Sequence, residues 1–392
     1  MTALLHLVSE QTMQNLLPIL ALRPQIVVQV RSRDQRFHRA VENLKNAVTS
    51  LRETPRYGDL HPEFHDVVIE ADSPEPEQTA GIIRKQLARY PQAVLNITGG
   101  TKLMSLGAWM AAGNQHPVLY CDTSERRFVQ VGDNSLPELP RFDQIAATLT
   151  VGAVMAAHGV ARDNWRFDQP TDKLLEVGKA GFACHKADET AFRDFGNNVR
   201  QHFREKGRIP GAHGELCALV QRPLPAAPPS LSPFLDAVAD AGLLAKRAGA
   251  FYPTVEPRRD QVEQLANLLG GSWLELYVVG LLLRHPQRWS DPRWSVEPRR
   301  PAEAVFGETD VICVNVASAA LHIISCKTTL RQPLETLEAL AQRRRDLGGL
   351  FAKATLAVLT IQNNERQKLA NWAGLLGVEL LVGDEITQAF SP

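Results

Sequence analysis

The chain has 392 residues, enough at roughly 150 residues per domain for two or three domains, each burying its own core. Its 43 Lys and Arg balance 43 Asp and Glu, which excludes binding of nucleic acid by bulk positive charge and confines any such contact to a local site. With 44% hydrophobic and 22% charged residues the composition is that of a globular chain and excludes wholesale disorder.

The longest apolar run, Leu276 to Leu283, falls short of the ~20 residues that cross a bilayer. The first residues show no basic stretch followed by an apolar one, so the expectation is a cytoplasmic protein without membrane contact. Five cysteines (Cys121, Cys184, Cys217, Cys313, Cys326) have no CxxC spacing and read as reduced thiols, with neither a disulfide framework nor a zinc site.

Over residues 1–150, short apolar runs (Leu4–Val8, Ile26–Val30, Val67–Ile69, Val94–Ile97, Val118–Cys121) alternate with helical stretches such as Ala40–Leu51 and Gln78–Tyr90. One helix between successive strands predicts right-handed crossovers and a parallel, Rossmann-like sheet. Residues 151–260 read as a small helical linker interrupted by a stiff Pro-rich connector at 222–233. Within it, Phe234 to Leu244 predicts an amphipathic helix with a glycine stop, and Phe251–Pro253 a wing strand. Residues 261–392 form a compact α/β unit. A helix over Gln261–Leu269 meets Gly270-Gly271, and a second starts at Ser272. After a Pro-punctuated loop come strands at Asp310–Val316 and Leu321–Cys326, then helix, strand, helix and a last strand at Val378–Val382.

Two places carry chemistry. Asn96-Ile97-Thr98-Gly99-Gly100-Thr101-Lys102-Leu103-Met104 follows an apolar strand and opens a helix. Glycines let a backbone approach a phosphate, free N–H groups at a helix start favour an anion, and Thr98, Thr101 and Lys102 add donors. The pattern is neither GxxxxGK[ST] nor GxGxxG, which disfavours an ordinary triphosphate or dinucleotide. It reads equally as a strand-to-helix turn with a cap threonine and a solvated lysine. Val8-Ser9-Glu10-Gln11-Thr12, at the end of the first strand, can lie beside it, although Ser9 also suits a helix N-cap.

In these two segments the chain resembles a CARF domain, the CRISPR-associated Rossmann-like sensor of cyclic oligoadenylates. The resemblance implies that Ser9, Glu10, Gln11 and Thr12 contact the ring from one side, and Thr98, Gly99, Gly100, Thr101, Lys102 and Met104 from the other. It further implies a homodimer with cyclic tetra-adenylate, an allosteric activator, across its two-fold axis.

The second place is Glu308-Thr309-Asp310-Val311, followed by Ser325-Cys326-Lys327 at the end of the next strand. Strand alternation puts Ser325 and Lys327 on one face and Ile324 and Cys326 on the other. Phosphodiester hydrolysis calls for a divalent ion on hard oxygen ligands and a nearby cation. This half resembles the PD-(D/E)xK restriction-endonuclease fold over about residues 262–392. Glu275 then matches the helix glutamate, Asp310 the metal-binding aspartate and Lys327 the lysine. Ser325 stands where that family has a carboxylate. The Cys326 carbonyl and Glu308 are left to complete a Mg2+ or Mn2+ site with Glu275 and Asp310. Against this stand plainer roles: Ser272-Trp273-Leu274-Glu275 reads as a capping box, Glu308 and Asp310 as turn residues, Lys327 as an edge charge. Arg343-Arg344-Arg345 reads as a solvated helix face that can meet a phosphate backbone, and Trp289 and Trp294 as packing or base-stacking residues.

The resemblances together imply a cyclic-oligoadenylate-activated, metal-dependent endonuclease of CRISPR antiviral defence acting on DNA, RNA or both. Two alternatives stay open: a non-catalytic sensor that binds nucleic acid through the linker, and a ring nuclease that degrades its messenger.

Overall fold

The computed structural model describes residues 2–160, 165–168, 170–204, 207–298 and 308–391. The first unit runs β1 (Ala3–Leu7), α1 (Met13–Leu22), β2 (Ile26–Ser32), α2 (Gln35–Leu51), β3 (Glu63–Ile69), α3 (Pro76–Arg89), β4 (Val94–Asn96), α4 (Lys102–Ala112), β5 (Val118–Asp122) and β6 (Arg127–Val131). The sheet order is β3-β2-β1-β4-β5-β6, parallel except for β6, which returns antiparallel along β5. Strands buried on both faces explain why β1 and β2 are mostly apolar, interrupted by buried His6 in β1 and by buried Gln29, Arg31 and Ser32 in β2. The order reverses between β1 and β4, so the loops leaving these two strands flank the crevice where open α/β sheets bind ligands.

Two helices, α5 (Phe142–Ala146) and α6 (Val151–Ala157), leave this sheet. All seven residues of α6 are buried, and the apolar core around it is continuous from Leu4 and Val27 of the first sheet to Ile312 and Val358 of the second. Helix α6 is thus a buried wedge between two sheets.

Next come β7 (Trp165–Asp168), α7 (Asp172–Ala187), α8 (Glu189–His202), α9 (His213–Val220), α10 (Ser232–Asp240) and a hairpin of β8 (Leu244–Arg247) and β9 (Ala250–Pro253). The final unit is α11 (Arg259–Asn267), α12 (Trp273–Leu283), β10 (Trp289–Pro298), β11 (Thr309–Asn315), β12 (Ala320–Lys327), α13 (Pro333–Gly348), β13 (Ala352–Val358), α14 (Asn363–Leu376), β14 (Glu379–Val382) and α15 (Glu385–Phe390). Its sheet order is β14-β13-β12-β11-β10-β7, with β12, β13 and β14 parallel and the remaining pairings antiparallel.

Two features differ from the sequence reading. The stretch expected as a Pro-punctuated loop is β10, a strand bent by irregularities at Ser290/Arg293 and Trp294/Glu297, with Asp291 and Ser295 at positive φ. The break expected at Gly270-Gly271 is present: a π-turn over Leu268–Ser272 carries Gly271 in a non-helical conformation and so kinks the chain between α11 and α12. By length and composition the joined run Arg259–Leu283 passes for a bilayer span, yet 78% of its most apolar window is buried in the protein, as a core helix requires. Finally, β7 and α7, from the stretch read as a linker, belong to the final unit: β7 forms the edge of its sheet, and α7 packs along α12 in one shared core.

Gly178 permits that packing, since a Cβ there would lie 2.4 Å from the Tyr277 backbone nitrogen and 2.7 Å from the Leu276 carbonyl carbon. Neither backbone atom can rotate away. Gly178→Ala is expected to lower unfolding free energy by about 1–3 kcal/mol, measured by urea denaturation, whereas exposed Gly214→Ala, with open space around it, leaves it unchanged.

Candidate functional site

At the reversal point of the first sheet, β1 and β4 pair directly, His6 opposite Asn96. Their loops then cross, with the Gly100 N–H donating to the Val8 carbonyl at 2.9 Å. A Cβ on Gly99 would sit 2.1 Å from the Leu7 oxygen, and Gly100 has a φ of +72°, so the crossing itself demands both glycines. Two buried asparagines hold the turns. Asn15 donates to the Leu7 carbonyl (2.9 Å) and accepts from the Ser9 N–H (3.0 Å). Asn96 donates to the Gln14 carbonyl (3.1 Å) and accepts from the Thr98 N–H (3.1 Å) and hydroxyl (2.5 Å). The sequence reading overlooked both. For Asn96 the available signal was a polar residue at the end of an apolar strand, and for Asn15 a polar residue on the apolar face of a helix.

Ser9, Glu10 and Gln11 come together with Gly99, Gly100, Thr101 and Lys102 on one rim, yet several side chains already have structural work. The Ser9 hydroxyl accepts from the Gln11 N–H (3.1 Å), the Thr98 hydroxyl also accepts from the Cys121 N–H (2.7 Å), and Thr101 caps α4 by accepting from the Met104 N–H (3.2 Å). Thr12 and Met104 are each 1% exposed, with their side chains in the core. Glu10 pairs with Arg36 at 3.2 Å, and Gln11 accepts from the Gln14 amide at 2.9 Å. Lys102 stands exposed at the first turn of α4, where the helix dipole also favours an anion.

The second site sits at one end of the mixed sheet. Asp310 (β11) lies across from the end of β12, and one of its oxygens, Oδ2, accepts from the Ser325 hydroxyl (3.0 Å), the Cys326 N–H (2.6 Å) and the Lys327 ammonium (2.8 Å). Glu275 projects from the first turn of α12 and accepts from the Trp294 indole at 2.8 Å. Ser272 lies in helical conformation and makes no cap hydrogen bond, so the capping-box role for Glu275 is not realised. Glu308 accepts from the Ser295 hydroxyl at 2.5 Å, and both indole and hydroxyl are presented by the bend in β10. Of the arginine run, Arg343 lies close enough to Asp310 and Glu308 to feel their charge, Arg344 donates to the Gly377 carbonyl and Arg345 to Gln342. Trp289 is buried against His322 and Phe390, and His322 bonds Thr355 at 2.7 Å, so both are core residues.

Burial, reinforced by the Asp310 charge, pushes the Glu275 carboxyl up to about 8, with the Trp294 indole and Lys327 opposing. Burial disfavours the Lys327 ammonium, but its contact with Asp310 more than offsets this and holds it above the usual lysine value. The Cys326 thiol is driven well up by burial, so Cys326 offers the site its backbone and not a thiolate. Among the described residues no three His, Cys, Asp or Glu side chains converge tightly enough to cage an ion. The donor set present, two buried carboxylates that repel each other beside a backbone carbonyl, nonetheless fits Mg2+ or Mn2+. Mg2+ in particular is commonly held by one or two carboxylates and completed by water and substrate phosphate.

Residues 3–145 match the family model of the Card1 CARF domain, and residues 262–388 match that of the Card1-like endonuclease domain. No curated protein sequence matches the chain. Among solved structures, Can2 from Sulfobacillus thermosulfidooxidans in complex with cyclic tetra-adenylate superimposes with a TM-score of 0.67 at 20% identity, covering 100% of this chain and 97% of that one. Protein VC1899 from Vibrio cholerae gives 0.71 at 17% identity over 99% and 95% of the two chains. A type III CRISPR defence DNA nuclease activated by cyclic oligoadenylate gives 0.52 at 16% identity, over 94% of this chain and 51% of its own. At these identities the likeness is one of fold.

A carboxyl raised in the folded state binds a proton that the unfolded chain has released, so wild-type stability falls as pH rises from about 4.5 through about 8. In metal-free buffer, Glu275→Gln is expected to melt higher than wild type at pH 8.5 and near wild type at pH 5. Thermal melts across that range check the expectation.

Proposed function

Because this chain is a CRISPR ancillary nuclease, a CARF domain followed by a restriction-endonuclease-like domain, we propose that it is a cyclic tetra-adenylate-gated, metal-dependent endonuclease. The observation that carries the chemistry is the cross-strand grouping of Asp310 with Ser325, Cys326 and Lys327, beside buried Glu275.

Asp310 and Glu275 would hold a divalent ion, with the Cys326 carbonyl and, at the rim, Glu308. Such an ion, when bound, lowers the pKa of water and neutralises charge on a phosphate. The chain's own groups set the rest. Lys327, with a side chain 39% exposed against 12% for Asp310, reaches the opening and can turn from the carboxylate toward a phosphate oxygen. Trp294 orients Glu275, and Ser295 orients Glu308. Ser325 donates to Asp310 where a third carboxylate would add negative charge, which weakens ion affinity without removing the two acids.

The messenger reading rests on the rim of Ser9, Glu10, Gln11, Thr98, Gly99, Gly100, Thr101 and Lys102. Thr12 and Met104 support the rim from within. A homodimer is favoured by the outward face of α4. There Leu103, Leu106 and Met110, at helical spacing, are 44–49% exposed, an apolar stripe that starts beside the rim. A path for gating is present in β10. Asp291 accepts from the Val151 N–H that starts α6 (2.7 Å), Ser290 donates to the Leu149 carbonyl (2.8 Å), and Trp294 on the same strand donates to Glu275. Residues 1–150 would sense, 261–392 would cut, and 151–260 would join and buttress the two in the cytoplasm.

Supercoiled plasmid and single-stranded RNA, incubated with manganese with and without cyclic tetra-adenylate, test this reading. The expected result is messenger-dependent cleavage that is lost in Asp310→Ala by at least about 100-fold and strengthened in Ser325→Glu. Leu106→Glu is expected to sediment as a monomer and to lose the messenger response. Binding of nucleic acid without strand scission would favour the non-catalytic sensor, and disappearance of the messenger on chromatography the ring nuclease.

A further inference from the structure

Glu275 stands where two cavities of a long cleft meet. On one side, a cavity of about 380 Å3 is lined by Arg200, Arg204, Gly271, Glu275, Lys327 and Arg331. It shares Thr329, Leu330 and Gln332 with a further cavity of about 490 Å3 that reaches Lys368 and Trp372. On the other side it shares Asn267, Ser272 and Glu275 with a cavity of about 560 Å3 that includes Glu263, Glu297 and Glu308. A groove that continues past a hydrolytic site in both directions suits a polymer.

The charges along it are uneven. Several arginines elsewhere on the surface are neutralised, for example Arg33 by Asp72, Arg258 by Asp260 and Arg366 by Glu385. Among the described residues, no carboxylate pairs with Arg200, Arg204 or Arg331. Arg200 is half-buried, and its guanidinium donates to the Gly270 carbonyl within the π-turn and to Asn197 at 3.3 Å. A Cβ on Gly270 would lie 2.8 Å from the Arg200 Nε, so the glycine makes room for the arginine. Burial, and then the charges of Arg331 and Arg204, hold Arg200 below the usual arginine value, the mark of like charges crowded together. In a chain of zero net charge, three such guanidiniums beside Lys327 are a local concentration of positive charge facing one concavity.

We propose that Arg200, Arg204 and Arg331 are the phosphate-binding wall of the cleft, gripping the backbone of a polynucleotide next to the phosphate presented to Lys327. The inference rests on the nuclease reading and extends it. It also assigns a task to the helical segment before residue 260: α8 and the turn after it supply two of the three arginines. Arg200, seated on the turn that leads into α12, positions the strand relative to Glu275, whereas Arg204 and Arg331 are exposed and act by charge.

The test is equilibrium binding of a labelled DNA duplex and of a single-stranded RNA to the full chain, in EDTA with cyclic tetra-adenylate, over a series of salt concentrations. Arg204→Gln and Arg331→Gln are each expected to weaken binding and to flatten the plot of log K against log salt, by about 0.9 for duplex or about 0.7 for single strand for each phosphate that is no longer neutralised. In cleavage assays KM is expected to rise more than kcat falls. The arm with the larger change in slope identifies the favoured polymer. Slopes unchanged in both arms, or lowered instead by Arg247→Gln on the β8–β9 hairpin, would overturn the proposal. Asp310→Ala separates the two readings, because it is expected to keep the wild-type slope while losing cleavage. Should wild type cleave nothing while the arginine variants still flatten the slope, the nuclease reading falls and the phosphate wall stands.

Discussion

One carboxylate oxygen organises the effector half of this protein. Asp310 Oδ2 takes three donors at once, two of them from side chains on one face of β12 and one from its backbone. That arrangement requires β11 and β12 to be antiparallel neighbours in a single register, with Asp310 opposite Ser325, one place beyond the Val311–Ile324 pair. A slip of one residue would turn the carboxylate to the other face and leave Lys327 without its partner. The same oxygen lies near Glu275, so two acids and one lysine share a poorly solvated space. Burial first, and then the Asp310 charge, raise the Glu275 carboxyl, and with both acids ionised the site is short of positive charge. A divalent ion and a positively charged wall both answer that shortage, the first at the acids and the second along the strand to be cut.

The sensor half depends on a different economy. Its rim is built from side chains that mostly bond one another, with Asn15 and Asn96 beneath. What it leaves outward is Lys102, the start of α4 and an apolar stripe on that helix, features that suit a symmetric ring held between two copies. The connection to the effector is short and dry. Helix α6 is wholly buried, its first N–H is held by Asp291, and Asp291 in turn pairs with Arg293 at 2.6 Å. Strand β10 therefore touches both the start of α6 and, through Trp294, Glu275. Two distinct sites linked through one packed strand are what an allosteric account requires.

Much of this was legible in the sequence. Alternation of mostly apolar runs with helices pointed to the parallel sheet because strands buried on both faces are built chiefly from apolar residues, and the double glycine marked a tight turn after the fourth strand, which proves to be where two loops cross. Asp310 and Lys327 stood out because each terminates an apolar strand. What was illegible came from context. Pro292 and Pro298 made β10 look like a loop, although irregular pairing accommodates it in the sheet. The helix break at Gly270-Gly271 was legible, but not that the turn there seats Arg200. Ser272 and Glu275 had capping-box spacing, but Ser272 is already in helical conformation and its side chain makes no cap hydrogen bond. The arginines of the cleft are distant in sequence from the acids, and no local pattern announces them.

A crystal structure of the protein soaked with manganese in the presence of cyclic tetra-adenylate, with anomalous data at the manganese edge, tests the central claim most directly. The account requires an anomalous peak bound by Asp310 and Glu275, with the Lys327 ammonium withdrawn from Asp310 Oδ2. Absence of a peak at saturating manganese, or a peak elsewhere with the Asp310–Lys327 pair intact, would contradict it.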